Sequence, residues 1–371
     1  MRIAFIGGRD IHQLGGIENY MHNLASQLVK KGHEAIVYCE SDHNSVEYVE
    51  GIKVIYMKGP KSNLVCKPWV GLKATIRTMA KEKVDLIHYN AWPPSLWCWI
   101  PRLFGVPSLM EGHGLEWQRS KYSPRQQKIM RFMEKVTARM NQHLIMCSEA
   151  QVRYFKEVYG REAVAMPTAV NLPGDPGPSS GIMERFGLVP RRFFLFMGRL
   201  VQDKNPDYLI RAFVKSDHDG YKLVIAGSND AMPEYVNSLH KLAEGHDDVV
   251  LTGAVYGAEK EDLLRNAYAF GIPSTIEGLS IVLLEAMSYR LPVIASNIEA
   301  NEEVLDKDKA LWVRPECEED LVAAIEKAIG SRDLLDSFTQ ANYRLIEDRY
   351  TWDRLSDRYI DYVASITSVK R

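Results

Sequence analysis

The chain has 371 residues, of which 46% are hydrophobic and 25% are charged, as in an ordinary folded globular protein. A chain of this length suits two domains better than one. The formal net charge of −2 gives no overall attraction to nucleic acid, so we expect no nucleic-acid partner. The five cysteines are scattered and form no Cys-x-x-Cys pair, which argues against a disulfide framework or a zinc site.

Apolar runs in the sequence bear on the location of the protein. The opening run, Met1–Gly8, is too short for the apolar segment of a signal peptide. No later stretch reaches the roughly 18 uncharged apolar residues that a transmembrane helix needs. The chain is therefore predicted to be cytoplasmic and not to span a membrane.

In chain order, short apolar runs alternate with helical patterns over the first half of the chain. The first strand, Arg2–Ile6, ends in glycines and precedes a loop over 7–16 and a helix over about 17–31. The later strands predicted in this half are Glu34–Tyr38, Val54–Met57, Leu86–Tyr89, Ser108–Gly112, Leu144–Cys147 and Val164–Met166. Such an alternation builds a parallel sheet with right-handed crossovers.

The alternation restarts after a loop over 168–180 that is rich in Pro, Gly and Ser. The strands predicted there are Phe193–Met197, Lys222–Ala226, Val249–Thr252, Ala269–Pro273 and Pro292–Ala295. We predict an α/β chain with two Rossmann-like, doubly wound parallel-sheet domains that face each other across a cleft. The predicted boundaries are 1–168 and 169–349 for the domains and 350–371 for a tail, whose helix covers about 355–366.

Two carboxylates at a predicted strand-to-helix turn form the first candidate site. Glu277 lies in the loop, and Glu285 lies about one turn into the helix Ile281–Tyr289. Backbone N–H groups at such a turn attract anions, so this segment suits the phosphate, sugar and ribose of a sugar nucleotide. The alternative is an ordinary amphipathic helix with two marginal carboxylates. The turn residues between the two carboxylates are Gly278, Leu279 and Ser280.

Two cations follow the predicted strand Phe193–Met197. Arg199 and Lys204 come just after the glycine that ends this strand, at the edge where open α/β sheets bind ligands. They could balance the charge of a departing diphosphate, which would make a metal ion unnecessary. We therefore predict metal-independent chemistry without a cofactor. The alternative is that both are solvated loop residues.

These segments resemble the donor site of family 4 glycosyltransferases, which are retaining enzymes with the GT-B fold. The resemblance implies that Arg199 and Lys204 contact the donor diphosphate, that Glu277 orients the transferred sugar, and that Glu285 holds the ribose. It also implies that the tail packs back on the first domain. The chain departs from the commonest pattern at Tyr289-Arg290, where many members have a small residue and a glycine. The matching segments are Glu277-Gly278-Leu279-Ser280, Leu284-Glu285-Ala286-Met287 and Leu291–Ser296.

The first half resembles the acceptor side of the same family. Gly15 and Gly16 match the glycine loop after the first strand, which faces the donor in that family. His113, between two glycines, matches a histidine that contacts the transferred sugar. The segment that begins at His113 also resembles bacterial rhamnosyltransferase-like polysaccharide enzymes. Its side chains predicted for the acceptor or sugar pocket are Glu116, Trp117 and Arg119.

Basic residues dominate the stretch 119–139, in which Glu134 is the single acid. Several recur at helical spacing with apolar residues between them, and Trp92, Trp97 and Trp99 lie nearby in sequence. Such a surface can dock on anionic lipid, which suggests peripheral membrane contact and a lipid-linked acceptor. A solvated helix packed on a core is the alternative.

Together these patterns predict a retaining glycosyltransferase that moves a sugar from a nucleotide-sugar donor to a glycan or lipid-linked saccharide in cell-surface polysaccharide synthesis. Two alternatives remain open from the sequence. One is a GT-B enzyme of another reaction type, such as a sugar-nucleotide epimerase or a phosphorylase. The other is a nucleotide-sugar-binding protein without catalysis.

Overall fold

The computed structural model describes residues 1–12, 16–115, 117 and 123–368. The chain divides into two compact units. Unit 1 comprises residues 1–169 and the tail from Trp352 onward, and unit 2 comprises Val170–Thr351. The sequence analysis places the boundaries after residues 168 and 349, and the units divide after residues 169 and 351.

Unit 1 is built on one sheet. Its strands are β1 (Arg2–Gly8), β2 (Glu34–Ser41), β3 (Ser45–Val49), β4 (Ile52–Lys58), β5 (Leu86–Tyr89), β6 (Ser108–Gly112), β7 (His143–Met146) and β8 (Val164–Ala165). Among the described residues, these eight strands lie in the order β3-β4-β2-β1-β5-β6-β7-β8. Neighbours run parallel, except that β3 pairs antiparallel with β4 at the edge.

Helices cover both faces of this sheet. They are α1 (Gly16–Lys30), α2 (Asn63–Lys81), α3 (Trp92–Ser95), α4 (Trp99–Leu103), α5 (Pro124–Met140), α6 (Glu149–Tyr159) and α15 (Trp352–Ser368). One apolar core lies between the sheet and α1 with α15, and contains Phe5, Leu24 and Tyr359. The other lies between the sheet and α2, α3, α5 and α6, and contains Ala74 and Phe155.

The tail helix α15 belongs to unit 1. Its buried residues recur at helical spacing, so one face of the helix enters the core of that unit. Lys31, just after α1, binds the carboxylates of Asp353 and Asp357 at 2.8 and 2.5 Å. The buried face consists of Trp352, Leu355, Ser356, Tyr359 and Val363.

Unit 2 repeats the α/β arrangement with a second sheet. Its strands are β9 (Phe193–Met197), β10 (Lys222–Ala226), β11 (Val249–Gly253), β12 (Ala269–Ile272), β13 (Val293–Ser296) and β14 (Leu311–Val313). The order is β11-β10-β9-β12-β13-β14, and all neighbours run parallel. The helices are α7 (Ile182–Arg185), α8 (Pro206–Lys215), α9 (Pro233–Ala243), α10 (Gly257–Asn266), α11 (Ile281–Ser288), α12 (Glu299–Glu302), α13 (Glu318–Gly330) and α14 (Arg332–Arg349).

The predicted α/β class with two parallel sheets is confirmed. Two edge strands, β3 and β14, are absent from the sequence prediction. Every second residue of β3 is exposed and β14 has only three residues, so neither forms a continuous buried run like that of β9 or β12. Among the described residues, no helix combines the length and the apolar character needed to cross a membrane.

Candidate active site

The ends of β9 and β10 approach each other very closely in unit 2. All five residues of β9 are buried, and the chain then turns at Gly198, whose amide donates to the carbonyl of Ala226. Gly227 follows β10, and a Cβ atom added there would lie 1.9 Å from the carbonyl oxygen of Gly198. Only glycine fits at Gly227, because any other side chain would force the two strand ends apart.

Lys204 crosses this turn and reaches Glu277. A short 3-10 helix, Gln202–Lys204, follows β9. A Cβ atom added to Gly198 would lie 3.5 Å from Cδ of Lys204, so this side chain passes directly over the glycine. Its Nζ donates to Oε1 of Glu277 at 2.6 Å, and the two side chains are only 17% and 11% exposed. The structure thus joins two side chains that are 73 residues apart in the chain.

A chain of hydrogen bonds between buried polar side chains holds Glu277 in place. Ser274 donates through Oγ to Oε1 of Glu277 at 2.9 Å. The backbone carbonyl of Ser274 accepts from Oγ of Ser296 at 2.5 Å. Asn301 then donates from Nδ2 to the carbonyl of Ser296 at 2.9 Å. Ser274, Ser296 and Asn301 are fully buried, so their polar groups cannot bond to water. These hydrogen bonds satisfy them instead.

Asn205 fixes the same loop from the β9 side. Its backbone lies in the left-handed region with φ of 49°, and its buried side chain donates from Nδ2 to the carbonyl of Pro273 at 3.0 Å. The amide of Thr275 donates to the carbonyl of Asp203 at 2.9 Å. These two bonds tie the loop after β12 to the loop that carries Lys204.

The turn before α11 presents backbone amides and one buried hydroxyl. Ser280 precedes the first residue of α11, but its side chain makes no capping hydrogen bond. Its Oγ is buried and has no hydrogen-bond partner among the described residues. The first amides of a helix have no intrahelical acceptor, so this end of α11 can bind an anion.

Glu285 and Arg199 complete the candidate donor side. Glu285 accepts through Oε1 from Nζ of Lys260 on α10 at 2.5 Å. Arg199 is exposed and has no ion-pair partner among the described residues. Lys204 and Lys260 are each paired with a carboxylate, so Arg199 adds a positive charge that is not balanced locally.

In unit 1, His113 follows β6 and lies beside two residues of the core. Its ring meets the edge of the Tyr20 ring, with centroids 5.2 Å apart, and its Nδ1 is 3.9 Å from Oε1 of Glu111. Glu111 is fully buried, and this burial raises its pKa to about 7. Gly16 begins α1, and Gly15 lies outside the described residues.

Trp117 is held through its indole by a buried carboxylate of α5. Its Nε1 donates to Glu134 at 3.2 Å, and Arg131 stacks over its ring at 4.3 Å. Glu134 also accepts from the hydroxyls of Tyr154 and Tyr159, and burial raises its pKa. The other predicted pocket residues, Glu116 and Arg119, lie outside the described residues.

The structure therefore brings Lys204 and Glu277 together. Ser280 of the predicted turn lies three residues after Glu277, at the start of α11. Several residues that hold these groups have no role predicted from the sequence. They are ordinary Ser, Asn and Lys residues in loops, on helices or at the end of a strand, and only the spatial contacts reveal them. They are Asn205, Lys260, Ser274, Ser296 and Asn301.

Comparison with protein families decides the class of this chain. The family model described as Glycosyltransferase Family 4 matches residues 14–172, and the model described as Glycosyl transferases group 1 matches residues 183–345. The chain belongs to glycosyltransferase family 4. It is a glycosyltransferase with the GT-B fold, which confirms the family, the fold and the enzyme class predicted from the sequence.

One curated relative and two solved structures resemble the chain over nearly its whole length, and the structures support the fold. A GDP-mannose-dependent alpha-(1-6)-phosphatidylinositol monomannoside mannosyltransferase of Mycobacterium tuberculosis is 24% identical, with 94% of both chains covered. Sucrose-phosphate synthase from Thermosynechococcus elongatus has a TM-score of 0.83 at 18% identity, with 100% of both chains covered. Anabaena HepE, solved with UDP-glucose, has a TM-score of 0.78 at 16% identity, covering 98% of this chain and 100% of that one.

The close approach at Gly227 leads to a direct test. In Gly227→Ala the added methyl group collides with the Gly198 carbonyl, so the ends of β9 and β10 must separate. We expect the free energy of unfolding to fall by about 1–3 kcal/mol or more, as overpacking does. Urea unfolding measures this loss.

The matched control is Gly174→Ala, where the added Cβ meets no atom within 4 Å. We expect its free energy of unfolding to stay within about 0.5 kcal/mol of the wild type. Equal stability of the two variants would show that the strand ends do not approach as described.

Proposed function

We propose that this glycosyltransferase is a retaining, metal-independent enzyme that uses a nucleotide-sugar donor and a glycan or lipid-linked saccharide acceptor. The observation that carries this proposal is the contact between Lys204 and Glu277 at the carboxyl edge of the sheet in unit 2, beside the start of α11. A cation, a carboxylate and free helix amides at one sheet edge suit the diphosphate and the sugar of such a donor.

The proposed chemistry needs charge stabilisation rather than a protein base. The acceptor hydroxyl attacks the anomeric carbon on the face from which the diphosphate leaves. The bond between that carbon and the phosphate oxygen breaks, and its electron pair stays on the diphosphate. The proton of the hydroxyl passes to a phosphate oxygen. Lys204 and Arg199 stabilise the charge that develops on the diphosphate.

Glu277 and Glu285 are proposed to bind the donor through its hydroxyl groups. Glu277 would accept hydrogen bonds from the transferred sugar, while its contact with Ser274 keeps the carboxylate in place. Lys260 holds Oε1 of Glu285, which leaves Oε2 to accept from the ribose hydroxyls. In unit 1, His113 is assigned a sugar contact because of the family resemblance. Gly278, Leu279 and Ser280 contribute the anion-binding turn, and Ser280 adds its buried Oγ.

The relatives and the resemblance around His113 narrow the class of the donor. Of the three proteins named above, one is named as GDP-mannose-dependent and one was solved with UDP-glucose, which supports a nucleotide-sugar donor in general. The resemblance of the segment around His113 favours an activated rhamnose or another bacterial polysaccharide sugar. A role in cell-surface polysaccharide synthesis at the cytoplasmic face of the membrane follows from that choice.

The donor proposal is tested by Lys204→Ala together with a panel of UDP, dTDP, GDP and ADP sugars. A donor should raise the melting temperature of the wild type, and that donor should support transfer. In Lys204→Ala we expect kcat to fall by about 100- to 1,000-fold, since one charged donor to the developing diphosphate is lost. The free energy of unfolding should fall by only about 1.5–3 kcal/mol, the value of one charged hydrogen bond.

Lys215→Ala is the matched control, because Lys215 also pairs with a carboxylate of unit 2, Glu318 at 2.5 Å. That variant should keep wild-type turnover. Wild-type turnover in Lys204→Ala would instead remove the diphosphate role of Lys204.

Metal independence is tested by chelation. Because Arg199 and Lys204 are proposed to balance the diphosphate charge, transfer should continue unchanged when EDTA is added in excess. Initial rates before and after chelation measure this. Activity that disappears with EDTA and returns with Mg²⁺ or Mn²⁺ would contradict it.

A lipid-linked acceptor is supported by the outer surface of α5. Its exposed side chains include Ile129 and Phe132, which are 50% and 66% exposed. Glu134, the single acid of this helix, is buried against Tyr154 and Tyr159, so the described outer face of α5 carries cations without carboxylates. The exposed cations are Arg125, Lys128, Arg131, Lys135 and Arg139.

Of the three tryptophans that lie near the basic stretch in sequence, only Trp99 is well exposed. Trp92 is buried in the core, and Trp97 donates its Nε1 to the carbonyl of Pro68. Trp99 is 43% exposed, near Leu103 and Phe104 at the end of α4, which are also exposed. A groove of about 340 Å³ next to Phe132 is lined by Arg131, Lys135, Arg139, Val158 and Tyr159.

Binding to anionic vesicles tests this surface. Each cation near an anionic bilayer contributes about 1 kcal/mol. Replacement of Lys128, Lys135 and Arg139 by Ala should therefore weaken sedimentation with phosphatidylglycerol vesicles by roughly 100-fold. High salt should release the wild type, because the attraction is screened.

The matched control replaces three exposed lysines of unit 2, Lys241, Lys307 and Lys327, by Ala. It should sediment like the wild type. No sedimentation of the wild type at low salt would exclude this mode of membrane contact.

A further inference from the structure

The outer face of α2 is apolar, although its inner face already packs in a core of unit 1. Val70 and Ala74 lie in that core. On the opposite side of the helix, Trp69 and Ile76 are 50% and 53% exposed. A helix on the surface of a globular protein ordinarily has polar residues on its outer face. Here the outer face is a stripe at helical spacing that consists of Val65, Trp69, Ile76 and Ala80, with the half-buried Leu72 between them.

The stripe continues onto α4, which packs beside α2. Trp97, two residues before α4, donates through Nε1 to the carbonyl of Pro68, the neighbour of Trp69. Single exposed apolar residues are common on proteins, but a group contributed by two neighbouring helices marks an interaction surface. The exposed apolar residues of α4 and its end are Trp99, Leu103 and Phe104. Together with the stripe of α2 they form what we call the α2–α4 face.

The charge around the α2–α4 face has one sign. Residues 51–81 and 86–110 contain no Asp or Glu. Lys73, Arg77 and Lys81 recur every four residues along one flank of the stripe, and Arg102 is exposed on α4. Among the ion pairs of the described residues, none involves these four cations. The face therefore suits a partner that offers both an apolar surface and negative charge.

A second copy of the chain does not match this charge. In a symmetric dimer the same surface patch meets itself. The cations of two α2–α4 faces would then lie together, without a carboxylate on either helix to balance them. An anionic bilayer does match, because its headgroups attract Lys and Arg while Trp, Phe and Leu enter the boundary between headgroups and acyl chains.

We propose that the α2–α4 face docks unit 1 on an anionic lipid bilayer, with Trp69, Trp99 and Leu103 inserted at the boundary with the acyl chains. Both α2 and α5 pack on the same face of the sheet. In this arrangement the α2–α4 face supplies the apolar insertion, and the cations of α5 add attraction to the headgroups. The docking is independent of the reaction, whereas its use in transfer rests on the proposed lipid-linked acceptor.

The insertion is tested by quenching of tryptophan fluorescence with phosphatidylglycerol vesicles whose acyl chains are brominated. At low salt the wild type should lose fluorescence on these vesicles relative to vesicles without bromine, because bromine quenches tryptophans that lie near it. The variant Trp69→Phe with Trp99→Phe should bind about as well, since phenylalanine keeps the apolar surface, but should lose most of the quenching. Quenching that is absent in the wild type, or unchanged in this variant, would overturn the inference.

The contribution of the face to binding is tested by Trp69→Gln with Leu103→Gln. Both side chains are exposed, so their replacement leaves the core and the charge of the unit unchanged. We expect sedimentation with phosphatidylglycerol vesicles at low salt to weaken by about 100-fold, since each inserted side chain contributes about 10-fold.

The matched control is Val189→Gln with Leu334→Gln, which replaces two exposed apolar residues of unit 2. It should sediment like the wild type. Equal sedimentation of the control and of Trp69→Gln with Leu103→Gln would overturn the inference.

Three comparisons separate this inference from its alternatives. Binding that weakens in the triple-Ala variant of α5, but not in Trp69→Gln with Leu103→Gln, would uphold the α5 surface and remove the α2–α4 face. Sedimentation equilibrium without vesicles tests the second copy, and a dimer that Trp69→Gln with Leu103→Gln dissociates would overturn the bilayer as the occupant. Trp69→Gln with Leu103→Gln should keep the wild-type kcat on a water-soluble saccharide acceptor. The vesicle measurements need no donor, so their results do not depend on the proposed chemistry.

Discussion

The position of Glu277 depends on hydrogen bonds that connect the ends of three neighbouring strands. Asn205 follows β9, Ser274 follows β12, and Ser296 ends β13, and these strands are adjacent in the sheet. Each buried polar group left without a partner would cost about 1–3 kcal/mol. The three loops therefore hold one arrangement, in which the carboxylate of Glu277 meets the ammonium of Lys204.

The same arrangement suits the proposed binding of a diphosphate. Lys204 is already largely removed from water and held by Glu277, so little reorganisation is needed when an anion arrives. An ammonium buried without a partner would be neutralised or expelled to solvent. The carboxylate compensates the charge of this largely buried ammonium. Arg199 and the first amides of α11 leave the surroundings favourable to a further anion.

Two buried carboxylates of unit 1 have a different kind of neighbour. Glu111 contacts His88 and His113, and Glu134 contacts Tyr154, Tyr159 and Trp117. Among the described residues, neither has a lysine partner of the kind that Glu277 has, and burial raises the pKa of both. These two carboxylates lie against rings, whereas Glu277 in unit 2 and Glu82 in unit 1 each hold a lysine.

The sequence predicts local patterns, but it does not predict contacts between distant residues. Phe193–Met197 and Leu86–Tyr89 are continuous buried runs, so their apolar pattern alone predicts their bounds. The donor motif is likewise contiguous around Glu277. The partners of these motifs are ordinary residues far away in the chain, such as Lys260 for Glu285 and Tyr359 for His88. No periodicity marks such residues, because their role arises only when the chain is folded.

Arg290 shows how a local departure from a family pattern is compensated by a distant contact. This residue follows α11 with φ of 56°, in the left-handed region that favours glycine, and such a conformation costs about 1–2 kcal/mol for other residues. Its guanidinium lies over the Tyr343 ring of α14 at 4.1 Å, a contact that contributes about 0.5–1 kcal/mol. The contact offsets part of the backbone cost. It also ties the end of the helix that carries Glu285 to α14, which a glycine could not do.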